Sequence, residues 1–465
     1  MDVTYFTSSL LAMTFMVGNR RFSELVKGPE RKEDPALSRR ANARMREEGA
    51  GMSYLPDFLN SLSNQYHKET NPRGVIAMCV AENNLEAPKQ AVADQMEKSM
   101  QGIKESSRDI LNYTATTGMP CLRKALATLF NRYIFRGSHE AHPDQIFVAA
   151  GASAVITNLA FVLFDEGDSI LIPAPYYAGF DADFKAVPGC ATVPLHLPLE
   201  EKFRLTEVAL EQGYQDSCAA GNNPRALLLN NPNNPLGRVY SVEELRMARR
   251  WCRSKSMHLI CDEVFALSVW QRPEDPGDSF QSLPVALGSD FDEYCHVIWA
   301  VSKDLCASGL RLGTLYTQNK SVMAALGNTN IMAMTSNLLQ VALTKMISDD
   351  SWVASFVETN RKALHSCYDE LNKALPAFQV NVTPAIGGIF VWADFRAHLL
   401  APTFEEEQKL YTCLASSGIL LTPGEACHCA HPGFFRICYA WVPSTDLDEA
   451  IKRIIRGVAK YTQKS

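Results

Sequence analysis

Short apolar runs alternate with longer amphipathic stretches through most of this 465-residue chain. Runs at 145–150, 169–173, 225–229, 258–264 and 295–301 are apolar almost throughout, the pattern of strands buried on both faces. Between them, 151–164, 205–215 and 241–255 carry helical periodicity. This βα alternation predicts an α/β fold, with a mostly parallel sheet and helices on both of its faces. Upstream, 74–80 reads as a short strand, 88–106 as a helix with Pro88 in its first turn, and 121–135 as another helix. Downstream, 323–347 and 352–375 are long helical patterns. The second leads to a smaller C-terminal domain with strands at 387–393, 419–422 and 434–441, and a final helix, capped by Ser444, that runs to about 461.

Composition narrows the function classes. The chain is 46% hydrophobic and 21% charged, with a formal net charge of −6, which is ordinary for a folded protein with a large core and gives no reason to expect a nucleic-acid partner. Thirteen cysteines are scattered mostly within apolar segments, which points to a reducing, cytoplasmic setting and no disulfide framework. Cys427-His428-Cys429 with His431 lacks the paired spacing of structural zinc sites, so no metal is expected. The apolar stretch 4–17 is short and follows the acidic Asp2; neither a signal peptide, a membrane anchor nor a membrane partner is expected.

Chemistry enters at Val301-Ser302-Lys303, just past the strand at 295–301, where open α/β sheets bind ligands. Arg311 follows eight residues on, between Gly309 and Gly313 in a turn that lets backbone approach a bound group. An amine able to form a Schiff base, beside a fixed cation able to hold a phosphate, is what pyridoxal phosphate chemistry needs. A solvated strand-end lysine is the alternative. The strand at 258–264 ends in Asp262 and Glu263, and a carboxylate there can keep a cofactor's ring nitrogen protonated. Asn230-Asn231-Pro232-Asn233-Asn234-Pro235-Leu236-Gly237 is a rigid turn that offers an amide. Gly151-Ala152-Ser153 opens a helix whose free N–H groups, with the Ser153 hydroxyl, form an anion site.

In this order the NPxNPxG turn, the DEV segment and the SKxxxxxGxRxG segment resemble the class I/II aminotransferases, fold type I of the pyridoxal phosphate enzymes, from about Gly74 to the C-terminus. The resemblance implies a large domain built on a seven-stranded-type sheet and a smaller α+β C-terminal domain. On that division 1–50 is an N-terminal extension, with a charge-dense linker or surface helix at 27–48. Residues 51–105 begin the small domain and approach the large one, 106–350 bind the cofactor, and 351–465 complete the small domain. The implied roles are Lys303 as Schiff-base lysine and then general base, Asp262 at the ring nitrogen, Asn234 at the ring oxygen and Tyr177 stacked on the ring. Gly151, Ala152, Ser153, Ser302 and Arg311 would complete the cofactor contacts. Tyr113, five residues before Gly118, has the spacing of a tyrosine that reaches the partner subunit's cofactor phosphate, which implies a homodimer with shared sites; a packing tyrosine is the alternative.

Arg436 is a cation in an apolar strand and needs a partner, because a buried unpaired charge costs several kcal/mol. The family offers the substrate's α-carboxylate; a structural salt bridge is the alternative. The text around it, PGEACHCAHPGFFRICYA, and the AENNL box with Glu82 are similar to the 1-aminocyclopropane-1-carboxylate (ACC) synthases and their ACC-synthase-like relatives. That branch implies that Glu82 lies near the substrate. Phe265 stands where the family usually has tyrosine, Ala300 where a phosphate-binding serine is common, and Thr116 where plant ACC synthases have tyrosine. Some fungal relatives of the branch resemble carbon–sulfur lyases of gliotoxin-type pathways. The expected function is therefore carbon–sulfur bond cleavage in a cysteine-derived amino acid of secondary metabolism. Amino-acid transamination, ACC synthesis and a non-catalytic binding module, which would be expected to lose Lys303 or Asp262, are the other readings.

Overall fold

The computed structural model describes residues 35–38, 41–42, 52–101, 103, 110–270 and 279–463. Most of the expected N-terminal extension, including the charge-dense segment 27–48 apart from 35–38 and 41–42, lies outside the described residues, as does the expected helix end near Ser106.

Seven strands form the larger sheet: β1 (Ile146–Ala149), β2 (Asp168–Ala174), β3 (Ala191–His196), β4 (Asn223–Asn230), β5 (His258–Asp262), β6 (Cys295–Ala300) and β7 (Gly313–Thr317). Their order is β1-β7-β6-β5-β4-β2-β3. β7 runs antiparallel to β1 and β6, and the other pairs are parallel. β1, β2 and β6 are buried along their whole length, which is why their sequences read as unbroken apolar runs and not as alternation. Helices close the crossovers. Val242–Ser254 is started by Ser241, whose hydroxyl accepts from Glu244 N–H while Glu244 accepts in return from Ser241 N–H.

Register brings the site to one end of this sheet. Asn230 pairs with Asp262 across β4 and β5, and Asp262 with Ile298 across β5 and β6. β6 runs on to Ala300 and turns into the short helix Val301–Asp304, which carries Lys303.

The long helix Asp350–Ala374, capped by the Asp349 carboxylate on Trp352 N–H, leads to the smaller sheet. Its strands β8 (Asn381–Val382), β9 (Val391–Asp394), β10 (Thr422–Pro423) and β11 (Phe434–Ile437) lie in the order β10-β11-β9-β8, all antiparallel. One apolar cluster joins the two sheets: Ala81, Phe265 and Ala300 pack with Phe390 and Tyr439.

Several elements differ from the sequence expectation. Residues 74–80 form only isolated bridges, Gln65 with Val75 and Ile76 with Ile419, because successive residues bond to different segments: Val75 to Asn64 and Tyr66, Ile76 to Gly418 and Leu420, and Met78 to Cys438. The pattern at 323–347 is two helices, Lys320–Thr329 and Asn337–Ser348. They are separated where Asn330 turns its amide inward to the carbonyls of Thr116 and Val148. The last helix, Leu447–Thr462, is preceded by a tight turn at Ser444–Asp446; its N-cap is Asp446, so Ser444 does not cap it.

Candidate active site

Lys303 points its amine across the sheet end to the Ala81 carbonyl, to which Nζ donates at 2.5 Å. Burial pushes its pKa below the usual lysine value; nearby Glu82 and Cys438 oppose the shift, and Arg436 and Arg311 add to it. The turn beneath it is held by Asp304, which sequence reasoning passed over although it adjoins the lysine. Its carboxylate accepts from Leu267 N–H (2.8 Å), Ser268 Oγ (2.7 Å) and Trp299 Nε1 (2.8 Å).

Asp262 is buried at the end of β5, and burial pushes its pKa up to about 7, partly offset by Val264 N–H and Lys303. Its backbone carbonyl fixes the asparagine turn, accepting from Asn231 N–H at 2.8 Å and from Asn230 Nδ2 at 2.9 Å. Asn230 Oδ1 in turn accepts from Asn234 N–H at 2.7 Å. Asn234 is thus tied back to the strand that bears Asp262.

A cup for an anion forms where β1 meets the helix Ala152–Leu163. A β-carbon on Gly151 would lie 2.5 Å from Arg311 Nη2, and one on Gly313 would lie 2.4 Å from the Gly151 carbonyl carbon. Only glycine permits this close approach of guanidinium, helix N-terminus and β7. Arg311 itself has φ +51°, a left-handed conformation that is strained for arginine, and Nη1 donates to Ser308 O at 3.1 Å. Asp183, another residue missed from sequence, takes a hydrogen bond from Ser153 beside Arg311; burial pushes it up to about 6, and both neighbours pull it down. Ser302 is buried next to the lysine, its carbonyl accepting from Ser308 Oγ.

Tyr177 folds its ring back over Gly179, where a β-carbon would come within 2.4 Å of the ring, and meets Phe180 edge-on at 5.3 Å. Asp183, Tyr54, Arg436 and Asp262 all lie within electrostatic reach of its phenol. Tyr54, buried and hydrogen-bonded to Thr422, had no sequence signal: it is a lone tyrosine just before a short helix, Leu55–Ser61.

Arg436, on β11, is 2% exposed. Nη1 donates to Asn234 Oδ1 (3.0 Å), and Nη2 to Cys79 O (2.6 Å) and Thr422 Oγ1 (3.1 Å). All three acceptors are neutral. Nε has no partner, and among the described residues no carboxylate pairs with this cation. Glu82, half-buried, lies close enough to Lys303 to favour its charged form. Phe265 is buried against Phe390 in an edge contact at 5.2 Å, and Ala300 is buried as well. Tyr113 is not brought to this site: it is 95% exposed.

Among the described residues no group of histidine, cysteine and acidic side chains is arranged to hold a metal. His428 instead pairs with Asp181, and burial pushes the Cys427 and Cys429 thiols up to about 12.

These residues fit pyridoxal 5'-phosphate: a glycine-lined cationic cup for its phosphate, a buried carboxylate for its ring nitrogen and an amine for its aldehyde. When bound, that group supplies a conjugated ring that draws electron density from the bond broken at the substrate's α-carbon. Arg436 is a buried cation whose partners are all neutral, so its charge is not balanced by any carboxylate among the described residues.

Comparison with known proteins gives the same assignment. Residues 73–454 match the family model "Aminotransferase class I and II". The chain is 32% identical over 446 residues to 1-aminocyclopropane-1-carboxylate synthase 4 of Oryza sativa subsp. japonica, covering 91% of this chain and 89% of that one. It is 30% identical over 420 residues to 1-aminocyclopropane-1-carboxylate synthase 11 of Arabidopsis thaliana, covering 87% and 89%. A Thermus thermophilus aspartate aminotransferase double mutant has the same fold, with a TM-score of 0.74 at 21% identity over 91% of this chain and 100% of that one. The anion cup, the lysine turn and the match over nearly the whole chain lead to one conclusion: this chain belongs to the class I and II aminotransferase family, as a pyridoxal phosphate-dependent enzyme.

Proposed function

We propose that this enzyme cleaves a carbon–sulfur bond in a cysteine-derived α-amino acid. The observation that carries the reading is a second carboxyl group at the lysine: Glu82 lies within electrostatic reach of Lys303, and its backbone carbonyl accepts from Cys438 Sγ. Elimination moves protons at two separate places, off the α-carbon and onto the departing sulfur. Transamination moves one proton between two carbons that flank the same nitrogen, which a single lysine can do. In this reading Lys303, its pKa lowered, takes the α-proton and Glu82 serves the leaving group. Arg436 holds the α-carboxylate, and Asp262 keeps the ring nitrogen protonated. Asn234 turns its amide donor to the ring oxygen, since its Oδ1 already accepts from Arg436. Tyr177 stacks on the ring, and Gly151, Ala152, Ser153, Ser302 and Arg311 hold the phosphate side.

ACC synthesis is the second reading, favoured by relatives of that name at 30–32% identity over 87–91% of this chain. By its product it needs a leaving group on the γ-carbon, followed by ring closure. One assay separates the outcomes. An S-substituted cysteine, with no keto-acid acceptor added, is expected to give a thiol, pyruvate and ammonia. Appearance of the cyclopropane amino acid from a γ-sulfonium substrate would favour the second reading. A keto acid formed only with an added acceptor would overturn both.

We infer a homodimer in the cytoplasm. Leu111 (85% exposed), Tyr113 (95%) and Met332 (90%) are large apolar side chains left in solvent, and their segments adjoin: Asn337 Nδ2 donates to Asn112 O at 2.7 Å. All thirteen cysteines are free, and among the described residues no helix is long and apolar enough to cross a membrane. Mixing inactive Tyr113→Ala and Lys303→Ala proteins is expected to restore up to about a quarter of wild-type activity, because random pairing leaves one intact site in half of the dimers. No recovery after demonstrated subunit exchange would rule out the shared site.

A further inference from the structure

The site's two halves stand on different sheets. Tyr177 and Lys303 follow strands of the seven-stranded sheet and Asp262 ends one, whereas Arg436 belongs to β11 of the four-stranded one. The connection from β10 to β11 is bracketed by Thr422, which binds the Arg436 guanidinium, and by Arg436 itself. At two points this connection is fastened to the larger sheet's side. Tyr176 N–H donates to Cys427 O at 2.9 Å, and the His428 ring meets the carboxylate of Asp181, with Nε2 2.7 Å from Oδ2.

The second fastening is built with care for its carboxylate. Asp181 Oδ1 also accepts from Tyr176 Oη at 2.8 Å and Thr192 Oγ1 at 2.6 Å. Burial opposes its ionisation, yet hydrogen bonds from His428, Thr192 and Tyr176 hold its pKa below the usual value. An ionised carboxylate only accepts, so His428 Nε2 carries the proton and donates to it. The imidazole is also stacked on the Tyr176 ring, with centroids 4.5 Å apart and planes 24° from parallel. His428 adopts φ +57°, a left-handed conformation that is costly for a residue with a β-carbon. The contacts of its side chain offset that cost.

We propose that His428 and Asp181 form a clasp that sets Arg436 at its working distance from the Tyr177 side of the cofactor pocket, making His428 a positioning residue for recognition of the substrate carboxylate. The proposal rests on the reading of Arg436 as the carboxylate anchor. Neither clasp residue touches the reacting atoms. Its effect comes through the loop: with the clasp open, Arg436 keeps its strand and its bond to Asn234, but the loop is left with one fastening in place of two, and a two-point ion pair tolerates little misplacement.

The test uses holoenzyme and two small probes that do not depend on the true substrate. Aminooxyacetate and methoxyamine attack the same cofactor carbon through the same O-amine, displacing the Lys303 amine; only the first has a carboxylate. Cofactor absorbance follows both titrations. Asparagine tolerates the left-handed backbone but is too short to reach Asp181, so His428→Asn opens the clasp with little strain. It is expected to weaken aminooxyacetate about tenfold and to leave methoxyamine within about twofold. Asp181→Asn should do the same, and the double variant should be no worse than either single one. Asp181→Asn also carries the test if His428→Asn yields no holoenzyme. Arg436→Gln is the control. If it keeps the preference for aminooxyacetate, the carboxylate-anchor reading fails, and the clasp with it. If it abolishes the preference while the clasp variants retain it, the clasp alone is overturned. Equal weakening of both probes, or additive single effects, would also overturn it.

Discussion

Lys303→Ala is expected to lower kcat by roughly 10⁴-fold, the upper end of what one positioned general base contributes, because in the proposed reading the same amine also holds the cofactor. Reduction with borohydride, which fixes a cofactor–lysine linkage permanently, should label the wild-type peptide containing Lys303 and leave the variant unlabelled. Labelling of a different lysine would sink the assignment. The amine also has a pH signature. Burial depresses its pKa, with Arg436 and Arg311 adding to the effect and Glu82 and Cys438 opposing it. A depressed lysine pKa means that the neutral, nucleophilic amine is already populated at lower pH. Cofactor uptake by the cofactor-free protein should therefore reach its plateau below the pH, about 10.4, at which an ordinary lysine deprotonates. A rate still rising through that pH would contradict the buried setting.

Arg436→Gln is expected to reduce kcat/KM by about 10²–10³-fold, corresponding to roughly 3–4 kcal/mol, within the range for removing one member of a buried, hydrogen-bonded charge pair. Most of the loss should fall on KM, because in the proposed reading the guanidinium holds the carboxylate before and during the reaction alike. Arg436→Lys should recover little. A point-like ammonium cannot keep the acceptors Asn234 Oδ1, Cys79 O and Thr422 Oγ1 and still grip a carboxylate with two donors. Cofactor absorbance should stay near that of the wild type in both variants. An unchanged KM for the amino acid in Arg436→Gln would remove the residue from substrate recognition.

Much of this site was legible because its residues sit where strong local patterns end. Asp262 and Lys303 close apolar strands, and the register of β4, β5 and β6 brings such strand ends together. Asn234 lies in a turn whose prolines and asparagines have no other ready explanation. Arg436 stood out as a charge inside an apolar run. What stayed hidden depends on contacts between distant segments. Tyr54 and Asp183 reach the pocket from the start of one short helix and the middle of another, with no periodicity to mark them. Cys79 contributes a backbone carbonyl, which no side-chain pattern can announce. Residues 74–80 have the apolarity of a strand but find only single-bridge partners, because pairing is decided by neighbours and not by composition. The division of 323–347 turns on one buried amide, that of Asn330, whose carbonyl partners lie far away in the chain.

Asp304 gives the lysine turn an unusual independence. Its carboxylate is satisfied by Leu267, Ser268 and Trp299, none of which touches a ligand in this reading, and these hydrogen bonds oppose the burial that pushes its pKa up to about 7. The scaffold under position 303 is thus maintained by its neighbour and not by the lysine itself. Position 303 then behaves as an interchangeable fitting on a rigid mount. A different reactive side chain, or a cysteine alkylated to a lysine-like amine, would be presented from the same point without refolding the turn. For protein engineering, the reactive group and the geometry that presents it are separable here, and position 304 is the one to leave untouched.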